Sequence, residues 1–242
     1  MLDIMLTTYN RLEFLKRTID SIFSKTRMPA YHLFIVDDCS TDGTAEYLAS
    51  LKNEHLKGVV LSKQRKGLRY EFNILWTKVE AYNLAYGEFP YLCYHQDDVE
   101  ILNDRWAETL IEAYQNLKAK YNVGFFSGCD SSEHPTRQKI QWRGKEILLK
   151  TSQAFQNAIA EKDFWRSIGL APRLNPDGLK PGLPNDGRGS NLDVWFMGCC
   201  SKSRYNRGAA SPNCSFVQGK SVMVISMMKH LGKFENSTWR RL

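Results

Sequence analysis

Nowhere does this sequence of 242 residues approach the roughly 20 consecutive apolar residues that a membrane-spanning helix requires. The segment Leu2 to Leu6 already reads as a strand, which leaves no room ahead of it for a cleaved leader. The expectation is a soluble cytoplasmic protein, peripheral at most to the inner face of a membrane. Also missing are any Cys-x-x-Cys pair and any zinc-like spacing among Cys39, Cys93, Cys129, Cys199, Cys200 and Cys214. Several of these lie in apolar runs, so they read as reduced and structural, with a zinc site as the second reading. No internal repeat and no low-complexity tract is present, which sets aside a stacked-repeat architecture. The formal charge of +7 by itself leaves nucleic acid, an anionic membrane surface and an acidic substrate open. Its distribution argues against nucleic acid. The densest basic groups, Lys63-Gln-Arg-Lys66 and Arg240-Arg241, lack the interleaved aromatics of a base-stacking platform.

What is present is a globular composition, 43% hydrophobic and 24% charged, enough for one sizeable core. The first half alternates strand and helix patterns, the signature of an α/β fold with a mostly parallel central sheet flanked by helices. Strands are predicted at Leu2 to Leu6, His32 to Val36, Gly58 to Leu61, Phe89 to Tyr94 and Val123 to Ser127. A helix over Arg11 to Lys25 puts Leu15, Ile19, Ile22 and Phe23 on one face, and Thr44 to Leu51 forms a shorter one. Phe72, Leu75, Trp76, Val79 and Tyr82 repeat at helical spacing until Gly87. Trp106, Leu110, Tyr114 and Leu117 do the same behind a cap at Asn103 or Asp104. The second half is less regular: a strand pair within Ile140 to Lys150 turning at Gly144, a helix over Glu161 to Ile168, and a strand from Ser221 to Met228 leading to His230. Ala171 to Asn191, rich in proline and glycine, reads as a lid, and Leu192 to Lys202 as a helix.

The strand before Gln96-Asp97-Asp98 delivers two carboxylates to a strand's carboxyl end, where open α/β sheets bind ligands. Adjacent carboxylates repel, and their ionised state is stabilised by surrounding donors or by a cation. A hard cation such as Mg2+ or Mn2+ commonly bridges one or two carboxylates to substrate phosphates; a surface turn is the plain alternative. Two further strands end in Leu6-Thr-Thr-Tyr-Asn-Arg11 and Val36-Asp-Asp-Cys-Ser-Thr-Asp-Gly-Thr44. These three motifs, in this order, resemble the A-type glycosyltransferases, especially the family 2-like group, over residues 1 to about 120.

The resemblance implies a Rossmann-like donor-binding half over residues 1–120. An acceptor-binding and catalytic-base half over 121–242 would continue it as a single domain. It implies that Thr7 and Tyr9 contact base and ribose, that Asp38 accepts from the base's ring N–H, and that Asp97 lies near ribose or sugar. Asp98 would ligate Mn2+ or Mg2+ against the diphosphate. The donor implied is a nucleotide sugar, a UDP-sugar before a GDP-sugar, and the acceptor a hydroxyl of a glycan or lipid-linked saccharide. For Asn10 the plainer role is the cap of the first helix, and for Asp37 a structural one. Arg69, after Lys66-Gly67, is either a cation within reach of base or diphosphate or a solvated arginine.

An inverting transfer needs a general base for the acceptor hydroxyl. Family 2-like enzymes usually carry it as an acid at a helix start, and Gly189-Ser-Asn-Leu-Asp-Val-Trp195 matches that context, so Asp193 is the candidate. Its alternative is a first-turn acid favoured by the helix dipole. Met228-Lys-His-Leu-Gly resembles a His-x-Gly segment that supplies a further metal ligand, here His230; a histidine satisfied by a carbonyl is the alternative. Phe164 and Trp165 read as core. Three other functions stand beside this one: a retaining transferase of the same fold, a sugar nucleotidyltransferase, and an inactive sugar-nucleotide-binding module. The nucleotidyltransferase expects a glycine-rich phosphate loop, and Thr7 to Arg11 holds no glycine.

Overall fold

The computed structural model describes residues 1–130, 135–150, 156–168 and 221–231. In chain order these form β1 (Leu2–Thr8), α1 (Leu12–Lys25), β2 (Tyr31–Asp37), α2 (Thr44–Ser50), β3 (Leu56–Leu61), α3 (Leu68–Tyr86), β4 (Tyr91–Gln96), β5 (Val99–Ile101), α4 (Trp106–Tyr121) and β6 (Val123–Ser127). There follow β7 (Thr136–Trp142), β8 (Lys145–Lys150), β9 (Asn157–Glu161), α5 (Lys162–Ile168), β10 (Ser221–Val224) and β11 (Met228–His230). One sheet has the order β3-β2-β1-β4-β9-β6-β10-β8-β7, in which only β9 and β8 run against the rest; β11 and β5 form a separate ribbon. This is the α/β architecture with a mostly parallel sheet that the strand and helix patterns predict.

Strand β1 lies between β2 and β4, parallel to both, and all seven of its residues are buried. A strand covered on both faces carries a near-continuous apolar run, which is why Leu2 to Leu6 shows no alternation. Its one charge, Asp3, is matched by Lys162 at 2.6 Å, Asn83 Nδ2 at 2.9 Å and His32 Nδ1 at 2.9 Å. Helix α1 buries Leu15, Ile19 and Ile22, and α4 buries Trp106, Leu110, Tyr114 and Leu117, each at the predicted spacing. The Trp106 indole donates to Thr26 Oγ1 at 3.1 Å, tying the start of α4 to the end of α1. Phe164 and Trp165 are core residues, the latter donating to the Leu92 carbonyl at 3.1 Å.

Several local expectations are corrected. Asn10 does not cap α1: its backbone takes a left-handed φ of 49°, and its Oδ1 accepts the Thr41 amide at 2.7 Å. The cap comes from the neighbouring motif, where Asp42 Oδ2 accepts the Leu12 amide at 2.9 Å while Oδ1 holds the Thr44 amide and hydroxyl. Two helix starts thus share one carboxylate, a favourable place for negative charge. Nor does Asn103 cap α4, since its Oδ1 accepts the Arg105 amide one residue before the helix begins. Residues 157–161, given no strand by the sequence, form β9 between β4 and β6.

The strand foreseen over Ser221 to Met228 breaks after Val224. Ile225 and Met227 there donate to the carbonyls of Ser127 and Gly128, and the chain crosses to pair β11 with β5. A Cβ at Gly128 would come 2.9 Å from the Met228 methyl, the movable end of a side chain that would have to shift to admit it. The candidate lid over Ala171 to Asn191 and the helix over Leu192 to Lys202, with Asp193, lie outside the described residues.

Candidate functional site

Strands β1, β2 and β4 run in parallel register, Thr7 opposite Val36 and Gln96, and Thr8 opposite Asp37. Their carboxyl ends therefore carry Thr7-Thr8-Tyr9, Asp37-Asp38 and Asp97-Asp98 to one edge of the sheet.

Asp97 ties that edge together. Its Oδ2 accepts the Thr8 hydroxyl at 2.8 Å, its Oδ1 lies 3.4 Å from the Arg11 guanidinium, and its carbonyl accepts the Thr18 hydroxyl of α1 at 2.8 Å. Burial pushes its carboxyl up to about 6, Arg11 pulling the other way and Asp98 adding to the rise. Asp98 holds its charge more readily. Burial opposes ionisation there too, but His230 and Arg11 outweigh it and keep the carboxyl below its ordinary range. Arg11 donates to Asp98 Oδ2, and His230 Nε2 lies 3.2 Å from the same oxygen.

The ribbon explains that meeting. In the β5–β11 pairing His230 stands opposite Val99, the residue after Asp98, and the Leu231 amide donates to the Asp98 carbonyl at 2.7 Å. His230 thus lies within a strand rather than beyond one, 132 residues in sequence from its partner. Behind the turn, buried His95 places Nε2 at 3.0 Å from the Val99 carbonyl and Nδ1 at 2.8 Å from the Asn157 side-chain amide. That pattern fits the neutral tautomer protonated at Nε2, and burial pushes His95 down to about 4, so it stays uncharged at neutral pH.

A divalent cation fits this corner in part. Asp98 Oδ1 and His230 Nδ1 are buried without a hydrogen-bond partner among the described residues. Asp98 Oδ2 and His230 Nε2, 3.2 Å apart, are in contact with each other, so a cation held by both would take the place of that contact. Among the described residues no group of three or more His, Cys, Asp or Glu side chains is arranged to hold a metal. The other positions would fall to phosphate oxygens and water, the usual mode for such ions.

Arg11 at present supplies the positive charge of the corner. It is 45% exposed on the side chain while both carboxylates are buried. Removing one partner of a fully buried ion pair costs ~3–5 kcal/mol; for a half-exposed arginine we expect about 2 kcal/mol. In a chain of this size that lowers Tm by roughly 4–8 °C. Thermal unfolding of Arg11→Ala should show this loss in EDTA and recover most of it in Mn2+, whereas a loss that Mn2+ leaves unchanged would rule out cation binding at the pair.

The base side is built around Asp38, which is 5% exposed. Its Oδ1 accepts the Lys66 amide at 2.7 Å and its Oδ2 the Gly67 amide at 2.9 Å, so it fastens the turn that leads into α3. Each oxygen keeps a second lone pair. Tyr9 is half-buried and covered by the Arg65 guanidinium at 4.1 Å from the ring centroid, a cation–π contact. The same Arg65 reaches to 4.0 Å from Asp38. Thr7 is buried with its hydroxyl 2.8 Å from the Tyr94 hydroxyl, and it is the next residue, Thr8, that meets Asp97. Asp37 is structural, receiving the amide and hydroxyl of Ser40. Arg69 falls in the first turn of α3, with its side chain outside the described set.

Thus Tyr9 and Asp38 come together on one side, and Asp97, Asp98 and His230 on the other. Sequence reasoning assigned no role to Thr8, Arg11 or Arg65. Arg11 stood in the first motif, and Arg65 in the basic run Lys63 to Lys66, where a charged residue reads as solvated until its aromatic partner is known.

The sequence profile described as Glycosyl transferase family 2 matches residues 3–170, more than two thirds of the chain. No curated protein matches the sequence. Among solved structures, S. aureus TarS 1-349 superposes with a TM-score of 0.54 at 14% identity, over 95% of this chain and 60% of that one. The same fragment in complex with UDP-GlcNAc gives 0.53 at 16% identity, over 94% and 57%. Mannosyltransferase PcManGT from Pyrobaculum calidifontis, in complex with GDP-Man and Mn2+, gives 0.50 at 15% identity, over 71% and 47%. The chain spans 60% or less of the length of these three structures, and at such identities the likeness is one of fold.

Proposed function

The chain belongs to glycosyl transferase family 2, and we propose that it transfers a hexosyl or N-acetylhexosaminyl group from a nucleoside-diphosphate donor to a hydroxyl of a glycan or lipid-linked saccharide. The observation that carries this reading is the meeting of Asp98 with His230 and Arg11 at the same sheet edge as Tyr9 and Asp38. One end of that edge offers an aromatic face and a carboxylate for a base; the other offers cation-binding groups for a diphosphate. Similar folds are known in complex with UDP-GlcNAc and with GDP-Man and Mn2+.

In this reading Tyr9 stacks on the base, which requires Arg65 to yield or to clamp the opposite face. Asp38 accepts the ring N–H, Asp97 keeps the β1 turn in place beside the ribose, and Thr7 supports that turn from within the sheet. Mn2+ or Mg2+ bound at Asp98 and His230 would neutralise the departing diphosphate, an effect worth several kcal/mol in general. Asp193 is the proposed base of an inverting transfer, removing the acceptor hydroxyl's proton on the side opposite the diphosphate. Residues 1–120 would thus be the donor half and 121–242 the acceptor half of one domain. No helix among the described residues is long and apolar enough to cross a membrane; with a cytoplasmic setting, an acceptor on a lipid carrier would call for peripheral contact only.

The test is a panel of UDP- and GDP-sugars incubated with the protein in Mn2+ or in EDTA, with nucleotide release and nucleotide binding followed. Release from one donor in Mn2+, suppressed in EDTA, is the expected result. Binding of no nucleotide under either condition would sink the reading.

A further inference from the structure

Behind the corner of Asp98 and His230 lies a set of buried polar groups for which the reading above has no use. His95 and Asn157, both 0% exposed, stand opposite each other in the β4–β9 pairing. Asn157 Oδ1 accepts the Gly128 amide at 3.0 Å, and its Nδ2 reaches His95 Nδ1 at 2.8 Å and Cys93 Sγ at 3.1 Å. His95 Nε2 in turn lies 3.0 Å from the Val99 carbonyl. The backbone sets the polarity of this line at both ends. A Gly128 amide can only donate, so the side-chain oxygen of Asn157 faces it and the NH2 group faces the ring. A Val99 carbonyl can only accept, so the proton of the neutral ring sits on Nε2 and leaves Nδ1 bare for Asn157. Turning the amide over would set donor against donor at one end and acceptor against acceptor at the other, a costly arrangement at a buried position.

What the line connects decides its role. Val99 follows Asp98 and stands opposite His230 in the β5–β11 ribbon. Gly128, at the other end, gives its carbonyl to the Met227 amide at 2.9 Å, where the chain leaves β10 for β11. Asp98 and His230 thus arrive on two segments far apart in sequence, and Asn157 and His95 span from one segment to the other. We propose that Asn157 and His95 are positioning residues of the cation corner: their hydrogen-bonded line fixes the β4–β5 turn against the β10–β11 crossing, and with it the place of Asp98 relative to His230. The proposal rests on the reading of Asp98 and His230 as cation-binding groups given above. Both positioning residues act through backbone, His95 on the Val99 carbonyl and Asn157 on the Gly128 amide. Groups that hold metal ligands in place in this way commonly matter nearly as much as the ligands.

The experiment compares the full chain with His95→Leu, Asn157→Leu and His95→Gln. Leucine removes the hydrogen bonds, while glutamine at position 95 still offers an N–H to the Val99 carbonyl. Mn2+ affinity, read by electron paramagnetic resonance with and without UDP, should fall about 10-fold to 100-fold in both leucine variants and return to within about threefold of the wild type in His95→Gln. UDP and GDP binding in EDTA should match the wild type in all three, because Tyr9 and Asp38 stand at the ends of β1 and β2; residues that merely supported the fold would weaken both kinds of binding together. Leucine variants with wild-type Mn2+ affinity would overturn the proposal, as would an equal loss of nucleotide binding in EDTA and in Mn2+. If a leucine variant does not fold, Asn157→Ser takes its place under the same expectation. The line itself is read without any ligand: the nitrogen-15 spectrum of the histidine rings should show one ring bare at Nδ1 with a slowly exchanging N–H at Nε2, a signal missing from His95→Gln. Absence of that ring from the wild type also overturns the proposal. If the wild type binds neither UDP nor GDP, the nucleotide reading fails, and Mn2+ affinity without nucleotide decides the proposal; a wild type that takes up no Mn2+ under either condition overturns it.

Discussion

Asp98→Asn is expected to lower sugar transfer by about 10^3-fold while leaving the fold intact. Asparagine preserves the side chain's volume, Arg11 keeps Asp97 as partner, and the β5–β11 pairing relies on the backbone of Asp98 rather than its carboxylate. What disappears is the one carboxylate at this corner whose surroundings favour ionisation. Charge neutralisation at a leaving group is worth several kcal/mol, and each ~1.4 kcal/mol is tenfold in rate, so roughly 4 kcal/mol corresponds to the stated loss. The same variant should no longer bind Mn2+ as read by electron paramagnetic resonance. His230→Ala, removing a neutral ligand, should cost less, about 10-fold to 100-fold, as loss of supporting interactions around metals commonly does. Turnover of Asp98→Asn near the wild-type rate would take Asp98 out of the chemistry altogether.

Asp193→Asn should divide binding from transfer. The assignment comes from the run Gly189 to Trp195 and its likeness to the helix start that bears the base in family 2-like enzymes. A general base contributes ~10^2–10^4-fold, and it acts on the acceptor rather than on the nucleotide. Transfer should therefore fall within that range while calorimetric affinity for UDP or GDP changes by no more than about twofold, since an interaction made only in the transition state leaves ground-state binding alone. Parallel loss of nucleotide affinity would instead mark Asp193 as part of the donor site, and near-normal transfer would remove it from the reaction. Set beside Asp98→Asn, which should weaken metal-assisted donor binding as well, Asp193→Asn should separate activation of the acceptor from binding of the donor.

Much of the fold was legible because it is written at short range. The buried run of β1, the helical spacing of Leu15, Ile19 and Ile22, and the turn at Gly144, where φ is 74°, each depend on a few neighbouring residues. Caps were harder. Asn10 and Asn103 are good capping residues by type, but Asp42 from another loop reached the Leu12 amide, and a donor takes whichever acceptor the tertiary fold brings nearest. Strand β9 went unread because Asn157-Ala-Ile-Ala-Glu161 is too short and too small in its side chains to carry a period; its place between β4 and β6 comes from pairing, not from propensity.

At the site, sequence alone determined which residue types stand at the ends of β1, β2 and β4, since motif order and strand ends are properties of the linear chain. Parallel pairing then makes those ends a single edge. It did not determine what each side chain touches. His230 meets Asp98 because an antiparallel ribbon sets it opposite Val99, Arg11 serves both carboxylates because α1 starts beside them, and Asp38 receives the Lys66 and Gly67 amides because the turn into α3 reaches the end of β2. Contacts of this kind are fixed by register and burial between segments far apart in the chain, and the balance of charge between Asp97 and Asp98 follows from those contacts, which no local pattern encodes.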